Sequence, residues 1–125
     1  MLQNAAQTYQ TNQVTTATPA ELTLMLYNGA LKFLKQARIG LQKKDYESAN
    51  HYCLRVQDIL KELMATLNDS YPISKQFFGM YEYMLRRLIE GNIRKDIQVI
   101  EEVEDLFTQF RDTWKEAMLL AKQQG

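Results

Sequence analysis

Residues Thr18–Tyr27 read TPAELTLMLY, and this stretch begins a helix with clear signals. Thr18 can cap the helix, Pro19 stands at the first helical position, where proline is tolerated, and Glu21 follows the cap by three residues. The helix that begins here is apolar around much of its circumference. What covers that surplus apolar surface is therefore the central question about this chain.

Composition bounds the class of protein. The chain has 125 residues, of which 46% are hydrophobic and 24% charged, as is typical of one globular domain with a real core. Fifteen basic side chains balance fifteen acidic ones, which argues against a nucleic-acid partner. No apolar run reaches the length of a membrane span, and no secretory signal begins the sequence, so we expect a cytoplasmic protein without membrane insertion.

Four segments follow the helical period, and short breaks separate them. Asp45 and Asp96 are candidate N-caps, Pro72 interrupts the pattern, and the pair Gly91-Asn92 is suited to end a helix. The four segments cover about residues 19–42, 45–68, 74–92 and 96–122. Long helices with short connections predict an all-α, antiparallel up-down-up-down four-helix bundle over residues 18–125. Residues 1–17 carry no charged side chain and few large apolar ones, so they predict a flexible N-terminal segment.

The apolar stripes of the four helices differ in width. Those of the second and fourth helices span about 140° and 120°, and they place Cys53 and Trp114 in the core. Those of the first and third helices span about 200° and 180°, which is more than two neighbours can cover. Part of both helices should therefore face outward. The candidates for this outward surface are Leu24, Tyr27, Leu31, Leu34, Phe78, Tyr81, Leu85 and Ile89.

Soluble monomers rarely leave a large apolar patch bare, so this surface calls for a cover. The N-terminal segment can supply one, with Tyr9 as its anchor. A second copy of the chain or a foreign segment are the other covers. Scattered surface leucines, which need no cover at all, are the fourth interpretation.

Charged side chains cluster at matching positions on the first and fourth helices. The basic cluster ends the first helix and the acidic cluster begins the fourth, and these helices are antiparallel neighbours in an up-down bundle. The two clusters therefore either meet or form two solvated faces. The basic cluster is Lys32, Lys35, Arg38, Lys43 and Lys44, and the acidic cluster is Asp96, Glu101, Glu102, Glu104 and Asp105.

No arrangement of residues predicts catalysis. The single histidine, His51, lies on the polar face of the second helix and has no nucleophile to activate. Arg86-Arg87 could suggest a phosphate site, but Glu82 and Glu90 lie four residues on either side of Arg86, which favours ion pairs along the helix. The sequence predicts no metal, no cofactor and no enzymatic activity.

Several runs of residues, taken in order, resemble those of the flagellin export chaperone family FliS over essentially the whole chain. Each run alone is weak, whereas the combination is specific. The runs are Thr18–Leu22, Met25–Ala30, Met80–Leu88 with Asn92, Glu101–Glu104 and Phe110–Lys115. Tyr9 also fits the N-terminal tyrosine of the family. Gly91 departs from it, because the family usually has Ala before this Asn, and so does Ala6, where members often have a larger apolar residue.

The resemblance implies a cytoplasmic, non-enzymatic chaperone. Family members bind the C-terminal segment of new flagellin, prevent its polymerisation and deliver it to the export gate of the flagellar type III secretion system. The flagellin segment wraps the bundle, partly as helices, and the N-terminal segment can occupy part of the same surface, so Tyr9 would belong to a displaceable cap. The alternative is a structural homo-oligomer that covers its apolar surface with a second copy, and a weak homodimer fits either function.

Overall fold

The structure is a computed structural model that describes residues 16–70 and 72–124. Within residues 19–124 it contains four helices: α1 (Pro19–Gln42), α2 (Tyr46–Ala65), α3 (Ser74–Arg94) and α4 (Ile97–Gln124). The second helix ends three residues earlier than expected, and the third extends two residues further. The helical bundle expected from the sequence is confirmed.

The four helices form a ring in which each contacts its neighbours in sequence and α4 closes onto α1. Two contacts show that neighbours run antiparallel. The Trp114 indole N–H, late in α4, donates to the carbonyl oxygen of Ala20, early in α1, at 2.9 Å. The Asn92 amide, late in α3, donates to Asn50 Oδ1, early in α2, at 2.8 Å.

The predicted N-caps act as expected, because the first backbone N–H groups of a helix lack partners within it. Thr18 Oγ1 accepts from the N–H of Glu21 at 3.1 Å, and Pro19 occupies the first turn. Asp45 Oδ1 accepts from the N–H of Ser48 at 3.2 Å.

The core lies along the bundle axis and draws on all four helices. Cys53 is buried there, as expected, and burial raises the pKa of its thiol to about 11. The fully buried apolar residues include Ala30, Leu34 and Ala37 of α1, Val56 and Leu60 of α2, Met84 and Leu88 of α3, and Ile100, Val103 and Phe107 of α4. At the centre, the hydroxyl oxygens of Tyr27 and Tyr81 lie 2.5 Å apart and join the diagonal helices α1 and α3.

The two charge clusters meet at one point among the described residues. Arg38 Nε lies 3.1 Å from Glu104 Oε1, which joins α1 to α4. Glu102 instead pairs with Arg87 of α3 at 2.8 Å, and the hydrogen bond from this guanidinium is the main reason that the pKa of Glu102 is lowered. The expectation for Arg86 was wrong, since Glu90 pairs with Arg87 and Arg94.

Gly91 does not end α3, contrary to expectation. The helix continues to Arg94, and Lys95 in the left-handed conformation, at φ 55°, terminates it. Gly91 is buried where α4 crosses closely: a Cβ atom there would lie 2.8 Å from Val99 Cγ1 and 3.0 Å from Val99 Cβ. Val99 is β-branched and stiff, so it cannot move aside easily. The glycine therefore permits the close contact between α3 and α4, and it does not terminate the helix.

Two alanine substitutions on α3 separate these effects. We expect Gly79→Ala, which would place its Cβ in open space, to raise the free energy of unfolding by about 0.5–1 kcal/mol through helix propensity. Gly91→Ala should instead lower it by about 1–3 kcal/mol, because overpacking outweighs the same propensity gain. Urea unfolding followed by circular dichroism measures both. A gain at both positions would show that α4 is not held tightly against Gly91.

Candidate functional site

Three of the predicted surface residues are in the core. Tyr27, Leu34 and Tyr81 are at most 1% exposed, so the expectation that they face outward was wrong. Tyr27 and Leu34 recur at intervals of three or four residues with the other buried residues of α1, so they face the bundle axis. Each of the two tyrosines can be buried because its hydroxyl has a partner in the other. Tyr9 lies outside the described residues.

Phe78, Leu85 and Ile89 lie together on the side of α3 that faces α2. Phe78 and Leu85 precede Asn92 by fourteen and seven residues, which places them on the same helical stripe, and Asn92 contacts Asn50 of α2. Phe78 is 42% and Ile89 38% exposed, whereas Leu85 is half-buried against the core.

Leu54 of α2 completes this surface and was not predicted. It follows Asn50 by one helical turn, so it lies on the flank of α2 that faces α3, and it is 44% exposed. We call the surface formed by Leu54, Phe78, Leu85 and Ile89 the α2–α3 face. Leu54 lies outside the narrow apolar stripe of the second helix. A single leucine outside such a stripe is common on protein surfaces, so the sequence alone does not mark it as part of a binding surface.

Leu24 and Leu31 lie on the opposite side of the ring. They precede Arg38 by fourteen and seven residues, and Arg38 pairs with Glu104, so this stripe of α1 faces α4. Both leucines are half-buried. Leu24 also lines a shallow cleft of about 150 Å³ together with residues of α4, namely Lys115, Met118, Leu119 and Lys122. We call the surface formed by Leu24, Leu31, Met118 and Leu119 the α1–α4 face.

The surplus of apolar surface is thus distributed differently from the expectation. On α1, every large apolar side chain in the described range is at least half-buried. Exposed ones concentrate on α3, and Leu119 and Leu120 add two more at the end of α4. These two leucines were not among the predicted surface residues, because surplus apolar surface was expected only on the first and third helices.

Two further clefts lie between the helices, and Trp114 lines both. A groove between α3 and α4, of about 220 Å³, is lined by Phe77, Met80, Leu106 and Phe110. A larger cleft of about 360 Å³, which we call the end cleft, opens where α1 and α3 begin and α2 ends. Trp114 was expected in the core but is only half-buried; its ring packs edge-on against Tyr27 at 6.2 Å between centroids.

The described titratable groups are not arranged for chemistry. His51 is exposed and lies edge-on to the ring of Tyr52. Burial raises the pKa values of Tyr27, Tyr81 and Cys53, which keeps all three protonated near neutral pH. Over the described residues, no helix is both long and apolar enough to span a membrane. The apolar lining of the clefts and faces is suited to holding apolar groups.

Neighbouring residues of α3 test whether the exposed faces are dispensable for folding. We expect Leu88→Ala, in the core, to lower the free energy of unfolding by about 2–5 kcal/mol. Ile89→Ala, which truncates a side chain of similar size on the α2–α3 face, should cost less than about 1 kcal/mol. Chemical denaturation of both variants measures the difference. Equal losses would mean that Ile89 is a structural residue and that the face has no surplus.

Comparisons with known proteins agree with this architecture. A family model described as "Flagellar protein FliS" matches residues 2–121. The flagellar secretion chaperone FliS of Bacillus subtilis is 46% identical over 117 residues, which cover 94% of this chain and 88% of that protein. The FliS of Salmonella typhimurium is 33% identical over 114 residues, covering 89% and 84%.

A solved structure shows the same fold. The crystal structure of a bacterial flagellar chaperone matches with a TM-score of 0.76 and 17% sequence identity, over 94% of this chain and 98% of the other. At that identity the likeness concerns the fold alone. The family follows from the sequence matches: the chain belongs to the FliS family of flagellar secretion chaperones.

Proposed function

We propose that this chain is a cytoplasmic export chaperone that binds the apolar C-terminal segment of flagellin. By covering that segment it prevents premature polymerisation, and it delivers the segment to the flagellar type III export gate. The observation that carries the proposal is the apolar surface outside the core, on the α2–α3 and α1–α4 faces, in a chain of the FliS family.

The arrangement of the faces favours an extended partner. The α2–α3 and α1–α4 faces lie on opposite sides of the ring of helices. A compact partner can cover only one of them, whereas a long segment can follow the surface from one to the other. The groove between α3 and α4 and the end cleft offer apolar contacts along such a path.

The chemistry of the faces favours a segment that folds as it binds. Apolar grooves between helices accept amphipathic helices, whose side chains at i, i+3, i+4 and i+7 fill the groove. A segment that is disordered alone loses conformational freedom on binding, which must be offset by a large buried apolar area. Two faces and two clefts provide more area than a single groove.

Self-association is the alternative cover. A symmetric dimer buries the same patch on both copies, so it would cover one face and leave the opposite one bare. A homo-oligomer that used both faces would pair the α2–α3 face of one copy with the α1–α4 face of the next. Such head-to-tail contacts tend to form open filaments rather than closed dimers. A weak homodimer through one face remains compatible with the chaperone function if the client displaces the second copy.

Mixing the chain with a synthetic peptide of the C-terminal flagellin sequence tests the proposal. We expect one peptide per chain by calorimetry, and more helix by circular dichroism than the sum of the separate components. A plain sum would contradict coupled folding. Sedimentation completes the comparison: a stable dimer that ignores the peptide would overturn the chaperone function and support the homo-oligomer.

Substitutions on the α2–α3 face test where the peptide binds. We expect the double variant Phe78→Ser, Ile89→Ser to keep the helical signal of the bundle and to weaken peptide affinity at least about tenfold, because two apolar anchors are lost. Gln76→Ser, at an exposed polar position of the same helix, serves as the matched control and should bind like the parent. Unchanged affinity in the double variant would exclude the α2–α3 face from the site.

A further inference from the structure

The end cleft is lined by one member of a buried pair of tyrosines, and the pair carries one more hydroxyl proton than its described hydrogen bond uses. Most of its polar lining is already committed to the backbone. The Thr23 hydroxyl lies 3.2 Å from the carbonyl oxygen of Pro19, the Thr66 hydroxyl 2.9 Å from that of Glu62, and the Ser74 hydroxyl bonds to that of Asn68. The side chain of Asn68 is on the exposed rim, where water can satisfy its amide.

Tyr81 is the exception in this lining. Its side chain is 1% exposed, it lines the end cleft, and its hydroxyl bonds to the hydroxyl of Tyr27, which does not line the cleft. Two tyrosine hydroxyls carry two protons, and the bond between them uses only one. No other hydrogen bond to either hydroxyl occurs among the described residues, so one proton remains available.

The direction of that remaining proton follows from the surroundings. Tyr27 is fully buried and is enclosed by the rings of Phe107, Phe110 and Trp114, which offer no strong acceptor. Tyr81 packs against the rings of Phe77 and Phe110, and it alone of the pair also lines the end cleft. When Tyr27 donates to Tyr81, the proton of Tyr81 is free to point into the cleft, and a chain of two hydrogen bonds in a low-dielectric interior strengthens both.

The remaining lining of the end cleft is apolar. It includes Pro19, Leu63, Ile73, Phe77 and the ring of Trp114. The volume of about 360 Å³ is enough for an apolar side chain together with the adjoining peptide unit. Binding pockets commonly combine such apolar walls with a few polar groups that fix the orientation of the ligand.

We propose that the end cleft holds one apolar side chain of the bound protein segment, while the hydroxyl of Tyr81 donates a hydrogen bond to a backbone carbonyl oxygen of that segment. This assignment rests on the proposed function and names one contact within it. Tyr81 thereby acts as a binding residue from inside the core. The contact sets the register of the segment, because the side chain in the cleft and the carbonyl that bonds to Tyr81 lie at a fixed distance from each other along the segment.

Two single-atom deletions test the assignment on the full chain. Tyr27→Phe and Tyr81→Phe remove the same hydrogen bond from the core, so each is the stability control for the other. Only Tyr81→Phe also removes the proposed donor to the bound segment. We expect Tyr81→Phe to weaken the affinity for a C-terminal flagellin peptide by roughly three- to tenfold, as expected for one neutral hydrogen bond. Tyr27→Phe should weaken it less than about twofold, since Tyr81 can still donate.

Trp114 provides an independent readout, because it is the single tryptophan of the chain and lines the cleft. Titration with a peptide that lacks tryptophan should shift its emission to shorter wavelength as the cleft loses water. Equal affinities in the two variants, or an unresponsive Trp114 on binding, would overturn this assignment and leave the chaperone function intact. Absence of any binding to the parent chain would overturn both.

Discussion

A helix in a ring of four can bury only the sector that faces the axis and its two neighbours. In α3 this sector is filled by Ser74, Tyr81, Met84, Leu88 and Gly91, which are all buried. Side chains beyond it, such as Phe78 and Ile89, remain 42% and 38% exposed to solvent. The constraint is geometric and holds whatever the residue type, so apolar side chains outside the sector must find a partner elsewhere or remain in water. The exposed α2–α3 face is a consequence of that division.

Polar contacts between helices favour one arrangement of the ring but contribute little to its stability. Arg38 pairs with Glu104 between α1 and α4, and Arg87 pairs with Glu102 between α3 and α4, but all four side chains are partly exposed to solvent. Such pairs contribute little to stability. The hydroxyl pair of Tyr27 and Tyr81 differs because it lies in the core and spans the diagonal, where any other arrangement of α1 and α3 would leave a buried hydroxyl without a partner. It therefore favours one packing of the bundle over its alternatives.

Local signals made the fold predictable, whereas the site depended on information that is not local. The caps at Thr18 and Asp45 and the buried part of the stripe of α4, from Val99 to Phe107, follow from a few residues each, and the structure contains them. The width of an apolar arc shows that surplus exists, but not which edge of the arc meets a neighbour. For that reason arc width predicts outward positions for Tyr27, Leu34 and Tyr81, although they lie in the core, and gives no sign of Leu54. The pair Gly91-Asn92 predicts a helix end, because the close approach of Val99 comes from a different helix and leaves no local signal.

The residues that stabilise the fold are largely distinct from those proposed to bind the partner, with Tyr81 as the exception. Side chains of the α2–α3 face contribute little to the core, so they can change with the partner without loss of stability. Tyr81 does not follow this division, since it is buried at the centre of the bundle and also borders the end cleft. A partner that bonds to its hydroxyl would engage the same group that joins α1 to α3. Binding at that cleft would then strengthen the core contact as well, because hydrogen bonds in a chain polarise one another. The free energy of unfolding of the chaperone should accordingly rise on client binding by more than the burial of its exposed apolar surface alone predicts.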